Sequence, residues 1–274
     1  MSDASMRREV RKPVSLRAEG LTRSFGKHVA VRPLDLEITS STSVGIVGES
    51  GSGKSTLSRL LVGLDQPTEG LVTLDGASMA QLLRSKTGTR DLRRTVQYVA
   101  QDTFSSFDPR RTLRDAVATP LRVLRELEGT AAEAEILPVL DLLKLDRRML
   151  DRYPSQLSGG QRQRFALARS LVVRPRILLC DEVVSALDVS VQGAVLNMIR
   201  DYCEEHEVGL GFVSHGLPAT AFVADELLVM CRGEVVEHGP TQQVLDRPTH
   251  PYTSSLLDAY RRGPRRLVPL AEPA

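Results

Sequence analysis

Apolar and polar residues follow three rhythms along this chain of 274 residues. Val14–Leu21 (VSLRAEGL), Val29–Ile38 (VAVRPLDLEI), Leu71–Gly76 (LVTLDG) and Val96–Gln101 (VQYVAQ) are short and β-rich, which predicts strands. Ser43–Val47 (SVGIV), Ile177–Cys180 (ILLC) and Leu210–Ser214 (LGFVS) are nearly all apolar and do not alternate, the pattern of strands covered on both faces of a parallel sheet. Between Asp102 and Val173 the strand signal disappears. There TLRDAVATPLRVLREL, AAEAEILPVLDLLKL and GGQRQRFALARSLVV place apolar residues at helical spacing, which predicts a helical insertion into the sheet's order. Its edges, DTFSSFDPR and RYPSQLS, are turn-rich. After the third apolar strand, LLVMCRGEVVEHG reads as a hairpin around Arg232 and Gly233, and SSLLDAY as a C-terminal helical piece. The expected architecture is an α/β core with a helical subdomain, without internal repeats.

One of the buried strands leads into a chemical motif. GESGSGKST, Gly48 to Thr56, fits the phosphate-loop pattern GxxxxGK[ST], with SVGIV before it and the Leu-rich TLSRLLVGL, expected to be helical, after it. Gly48, Gly51 and Gly53 allow the backbone to curl so that amides point inward at phosphate oxygens. Lys54 adds a full charge near the β and γ phosphates, Ser55 supplies a hydroxyl for Mg²⁺, and Glu49, Ser50, Ser52 and Thr56 complete the cradle at the positive end of the helix. A nucleoside triphosphatase also needs a carboxylate at the end of a neighbouring strand. ILLCDE provides Asp181 for the metal shell and, one position on, Glu182 to orient or deprotonate the attacking water.

Composition narrows the setting without changing this reading. Charged residues are 26% of the chain and nearly cancel to +2, so no nucleic-acid or acidic partner is expected from the bulk balance. Local basic runs remain at Arg7, Arg8, Arg11 and Lys12 and at Arg261, Arg262, Arg265 and Arg266; these are expected to be solvated ends, with anionic lipid as the functional alternative. The three cysteines, Cys180, Cys203 and Cys231, form no CxxC, so neither a disulfide framework nor a zinc or iron–sulfur site is expected, and a reducing compartment is favoured. No signal peptide and no window of roughly twenty apolar residues is found, so the chain is expected to be soluble by itself.

GESGSGKST, the Gln of YVAQ, LSGGQRQR (Leu157–Arg164), ILLCDE, SALD (Ser185–Asp188) and the His after LGFVS occur in this order. Together they resemble the nucleotide-binding subunit of an ATP-binding cassette (ABC) transporter, over about Leu16 to Tyr260. QDTFSSFDPR, CDEVVSALDVSVQ and HPYTSSLL (His250–Leu257) further resemble the subunits that energise bacterial oligopeptide, dipeptide and nickel importers. The resemblance implies a phosphate-loop ATPase core with a parallel sheet, an N-terminal antiparallel β subdomain and an inserted α-helical subdomain at about 102–173. It spans 14–260, with basic tails at 1–13 and 261–274. The implied activity is ATP hydrolysis to ADP and phosphate, with ATP and Mg²⁺ as cofactors, coupled to transport.

The same resemblance assigns Phe25 to stacking on adenine, Gln101 to contact with Mg²⁺ and the attacking water, and His215 to the γ-phosphate and to support of Glu182. An ordinary core Phe is the plain alternative for Phe25. His28, His206, His238 and His250 carry no motif and are expected to be surface or structural. Ser158 is expected to cap a helix, so that its hydroxyl, the amides of Gly159 and Gly160, and Gln161 face a phosphate. In the family that phosphate belongs to an ATP held by a second ATP-binding subunit, docked head to tail, as a homodimer or heterodimer. Two membrane-embedded permease subunits and, indirectly, an extracytoplasmic binding protein complete the implied assembly on the cytoplasmic face of the membrane.

Gly216 stands where the importer branch usually has Asp, removing a possible helix cap while Pro218 can still start the helix; Val183 stands where Pro is common. A soluble ABC ATPase acting on nucleic acid or ribosomes is the competing class, but such chains usually carry two cassettes and this one carries a single set of motifs. A non-hydrolysing regulatory subunit is the third reading, against which Lys54, Gln101, Glu182 and His215 are all present.

Overall fold

The computed structural model describes residues 12–102, 105–185 and 189–262. Arg7, Arg8, Arg11, Arg265 and Arg266 of the basic runs, Thr103 and Phe104 of the QDTFSSFDPR segment, and residues 186–188 of the SALD segment lie outside the described residues.

In chain order the strands are β1 (Ser15–Phe25), β2 (His28–Thr39), β3 (Ser43–Val47), β4 (Glu69–Leu74), β5 (Ala77–Ser78), β6 (Val96–Val99), β7 (Ile177–Asp181), β8 (Gly209–Ser214), β9 (Glu226–Cys231) and β10 (Glu234–Pro240). The helices are α1 (Lys54–Leu61), α2 (Met79–Leu82), α3 (Lys86–Thr95), α4 (Leu113–Arg125), α5 (Gly129–Leu142), α6 (Gly159–Leu171), α7 (Val189–His206), α8 (Leu217–Val223), α9 (Thr241–Asp246) and α10 (Pro251–Arg262). β2-β1-β4-β5 is an antiparallel sheet; in the second sheet, ordered β10-β9-β3-β8-β7-β6, all neighbours are parallel except the β10–β9 hairpin.

The apolar strands are apolar because both faces are covered. Leu178 and Cys180 of β7 and Leu210 and Phe212 of β8 pack with α4, α5, α6 and α7 on one side, around the fully buried Phe165. Ile177, Leu179 and Val213, from the alternate positions, pack with α1 and the antiparallel sheet on the other. A period of two is still present, but both of its faces meet protein, so the sequence shows a run rather than an alternation. The helices of the 102–173 stretch therefore share one core with a face of the sheet.

A third core, over Val47 and Leu227 and Val229 of β9, is closed by Leu217, Val244, Tyr252 and Leu257 from α8, α9 and α10. The hairpin expected at LLVMCRGEVVEHG is there, but its first strand is also an interior strand of the parallel sheet, hydrogen-bonded to β3 from Val44↔Glu226 to Val47↔Val229. Among the described residues no helix is long and apolar enough to cross a membrane.

Candidate nucleotide-binding site

The loop after β3 wraps over the N-terminus of α1, and two of its glycines are dictated by what lies behind them. A Cβ on Gly53, at φ 100°, would come 2.2 Å from the Ala30 carbonyl oxygen of β2; one on Gly48 would come 2.1 Å from that of Met230 on β9. The loop is thus pressed against both sheets, and only glycine fits. Lys54, 4% exposed, folds back into it and donates from Nζ to the Gly48 and Glu49 carbonyls, both at 2.8 Å. Burial lowers the pKa of this amine, against the pull of Glu182, Asp181 and Glu49.

Beside it an open cleft of about 600 Å³ is lined by Phe25, His28, Ala30, Ser50, Gly51, Gly53, Lys54, Ser55, Thr56, Gln101, Glu182 and His215. Gly48, Glu49 and Ser52, expected to line the cradle, do not line this cleft; the first two hold the resting lysine and Ser52 is buried. Phe25 is at the rim, 48% exposed rather than in a core, with the Arg23 guanidinium 4.4 Å from its ring centroid. His28 pairs with Phe25 across the β1–β2 turn and also lines the cleft, a placement that no sequence motif announced.

Three parallel strands deliver the polar groups. Asp181, at the end of β7 and 2% exposed, accepts from Ser55 Oγ at 3.1 Å and from the Tyr98 hydroxyl of β6 at 2.9 Å. Burial raises its pKa, with the two hydrogen bonds opposing. Glu182 follows at φ 51°, a left-handed conformation that costs a non-glycine residue on the order of 1 kcal/mol. Its amide donates to the Val213 carbonyl at 2.9 Å, and its own carbonyl accepts from Ser185 Oγ at 2.8 Å, which hold the strained residue. The carboxylate is thereby turned to accept from Gln101 Nε2 at 2.7 Å, with His215 Nδ1 3.7 Å away at the end of β8.

The donor set of Ser55, Asp181 and Gln101 is hard oxygen, which suits a magnesium-like cation better than a soft metal. Tyr98, buttressing the carboxylate, went unread in the sequence because a lone Tyr in a half-buried strand carries no chemical signature.

The LSGGQ residues lie elsewhere. Ser158 caps α6, accepting from the Gln161 amide at 3.2 Å while Gln161 Oε1 accepts from the Ser158 amide at 3.0 Å. Ser158 and Gly159 are exposed and, with Gly160 and Gln161, are not part of the cleft lining. The first-turn amides of α6 have no carbonyl within the helix to bond. At the start of the helical stretch, the Arg169 guanidinium of α6 lies 4.6 Å from the Phe107 ring, tying the chain after Gln101 to the same helix. At the other end, α8 starts with Gly216 at its N-cap, without a capping side chain, and Pro218 in its first turn, as expected.

The sequence profile of the ABC transporter family matches residues 31–185. The chain is 38% identical over 231 residues to the oligopeptide transport ATP-binding protein OppF of Lactococcus lactis subsp. lactis, covering 84% of this chain and 72% of that one. It is 39% identical over 238 residues to the di/tripeptide transport ATP-binding protein DppF of Pseudomonas aeruginosa (86% and 73%), and 37% identical over 259 residues to the glutathione import ATP-binding protein GsiA of Escherichia coli K12, of which it spans 40%. A solved dimeric structure of a bacterial ABC transporter cassette superposes with a TM-score of 0.75 at 28% identity, over 82% of this chain and 98% of that one.

Proposed function

Because this chain belongs to the ABC transporter family, we propose that it is the ATP-binding and ATP-hydrolysing subunit of a membrane importer, with peptides as the class of cargo. The observation that carries the reading is convergence: Gln101, Glu182 and His215 leave β6, β7 and β8, three neighbouring parallel strands, and meet at the mouth of one phosphate loop. The importer class is supported by relatives named for peptide and glutathione transport.

In this reading the purine stacks on Phe25, the loop amides from Ser50 to Thr56 take the phosphates, and Lys54 exchanges its two carbonyl acceptors for β- and γ-phosphate oxygens. Ser55, Asp181 and Gln101 would hold Mg²⁺, which supplies charge neutralisation on the phosphates when bound. Glu182 takes the proton of the attacking water or orients it. Gln101 and His215, which flank that carboxylate, fix its direction. Ser158, Gly159, Gly160 and Gln161, outside the chain's own cleft, take the γ-phosphate of a second cassette docked head to tail. Two permease subunits then receive the opening and closing motion at the membrane face. The resting site is therefore half of a catalytic site, and closing the dimer supplies the rest.

The test uses inside-out vesicles containing the chain with its permeases and binding protein. Lys54→Ala should abolish ATP binding or turnover together with peptide movement. ATP affinity and hydrolysis both unchanged would defeat the nucleotide reading; turnover stimulated by nucleic acid but not by permease and peptide would defeat the importer.

A further inference from the structure

HPYTSSLL lies outside the nucleotide cleft, yet the structure gives each of its distinctive residues a local task. Glu237 of β10 accepts from the Thr249 amide at 2.8 Å, the Thr249 hydroxyl at 3.1 Å and the His250 amide at 3.1 Å, fixing where the chain enters α10. His250 then acts as the helix cap, its Nδ1 accepting from the Tyr252 amide at 3.1 Å, and Pro251 occupies the first helical position, where a missing N–H costs nothing. Tyr252 and Leu257 go into the core that also contains Val47, the last residue before the phosphate loop, and Leu217, two residues after His215.

One tyrosine of this helix reaches the phosphate loop itself. The Tyr252 hydroxyl, on a side chain with only 7% exposure, accepts the Glu49 amide hydrogen at 3.0 Å. That amide belongs to the peptide whose carbonyl, on Gly48, accepts from Lys54, so the first peptide of the phosphate loop is clamped from both sides. When Lys54 leaves for a phosphate, the tyrosine contact remains. Leu257 of the same helix shares the Val47 core with Leu217, the first residue of α8, whose N-cap Gly216 has no capping side chain.

We propose that α10 is a strap joining the phosphate loop to the turn after His215 of the same nucleotide site, with the Tyr252 hydroxyl positioning the loop that takes the phosphates and Leu257 packed in one core with Leu217. The loop's contact governs binding. Burial pushes the Tyr252 hydroxyl up to about 12, so it stays protonated at any physiological pH and the strap does not titrate away. The inference rests on the ATP reading of the cleft.

Tyr252→Phe removes one hydroxyl and keeps the ring in place. In the full chain it is expected to weaken MgATP binding about threefold to tenfold, the range one neutral hydrogen bond commands, with kcat nearly unchanged. Without nucleotide, amide hydrogen exchange should quicken at Glu49 while the variant melts close to the unsubstituted chain. Unchanged exchange at Glu49, or losses of affinity and kcat that move together with a lower melting temperature, would overturn the strap. Failure of the unsubstituted chain to bind MgATP would overturn the nucleotide reading itself, a result the exchange data do not depend on.

Discussion

Asp181 holds a position that its own charge disfavours. It is buried, hydrogen-bonded to Ser55 of the cleft lining, and burial lifts its pKa above the unfolded value. The sign follows: protonation stabilises the fold, an advantage complete below the unfolded carboxylate pKa and lost as pH rises through the raised folded one. At neutral pH the ionised group therefore costs stability, and Asp181→Asn is expected to melt higher than the parent at pH 7 without metal while losing Mg²⁺-dependent hydrolysis. A lower melting temperature would mean that the bonds from Ser55 and Tyr98 outweigh desolvation. Glu182 presents the complementary case, with backbone strain in place of buried charge. Glu182→Gln keeps its hydrogen-bonding shape but cannot take a proton, so hydrolysis should fall by about 10²- to 10⁴-fold while ATP stays bound, measured by single-turnover assay with nucleotide retention.

Among the elements, α10 depends on one carboxylate. Glu237 is partly desolvated, but bonds from Thr249 and the His250 amide help keep its pKa below the ordinary value. A depressed acid contributes stability that is present above the unfolded pKa and lost as pH falls through the folded one. Glu237→Gln should therefore speed amide exchange across 250–258 at neutral pH, and the difference from the parent should shrink as pH falls through the parent's depressed carboxylate pKa. Equal exchange at pH 7 would show that α10 is held by its apolar face alone.

Strand periodicity was the clearest signal at this scale, since β3, β7 and β8 match their apolar runs closely. α3 left no such trace. It buries only Leu92 in ten residues, so it has no apolar stripe to read.

For the whole molecule, the separation of the N-terminus of α6 from the phosphate-loop cleft is what matters. The capping box of Ser158 and Gln161 prepares the N-terminus of α6 without any nucleotide of its own cleft. Ser158→Ala is therefore expected to spare ATP binding by the single chain and to lower turnover at least about tenfold, given that a lost cap and a lost phosphate donor each cost about 1 kcal/mol or more. ATPase rate per chain should also rise with chain concentration, measured by steady-state assay over a dilution series. Equal loss of binding and turnover would mean that both elements serve one nucleotide.

What the sequence determined alone was local chemistry: the phosphate loop, the acids after ILLC, the capping Ser158 and the doubly covered strands each depend on residues adjacent in the chain. Neighbours in sequence fix backbone conformation and hydrophobic period, so such features can be read without a fold. The tertiary structure decided which distant groups share a surface. It placed Phe25 at an exposed rim, brought Tyr98 to Asp181, and carried Tyr252 over 203 positions to Glu49. Such pairings follow from strand order and from which helix closes which core, and a tyrosine spells neither its partner nor its distance in the sequence. HPYTSSLL looked like a badge of its branch when read as letters; folded, it caps α10 with His250 and sets Tyr252 against the phosphate loop.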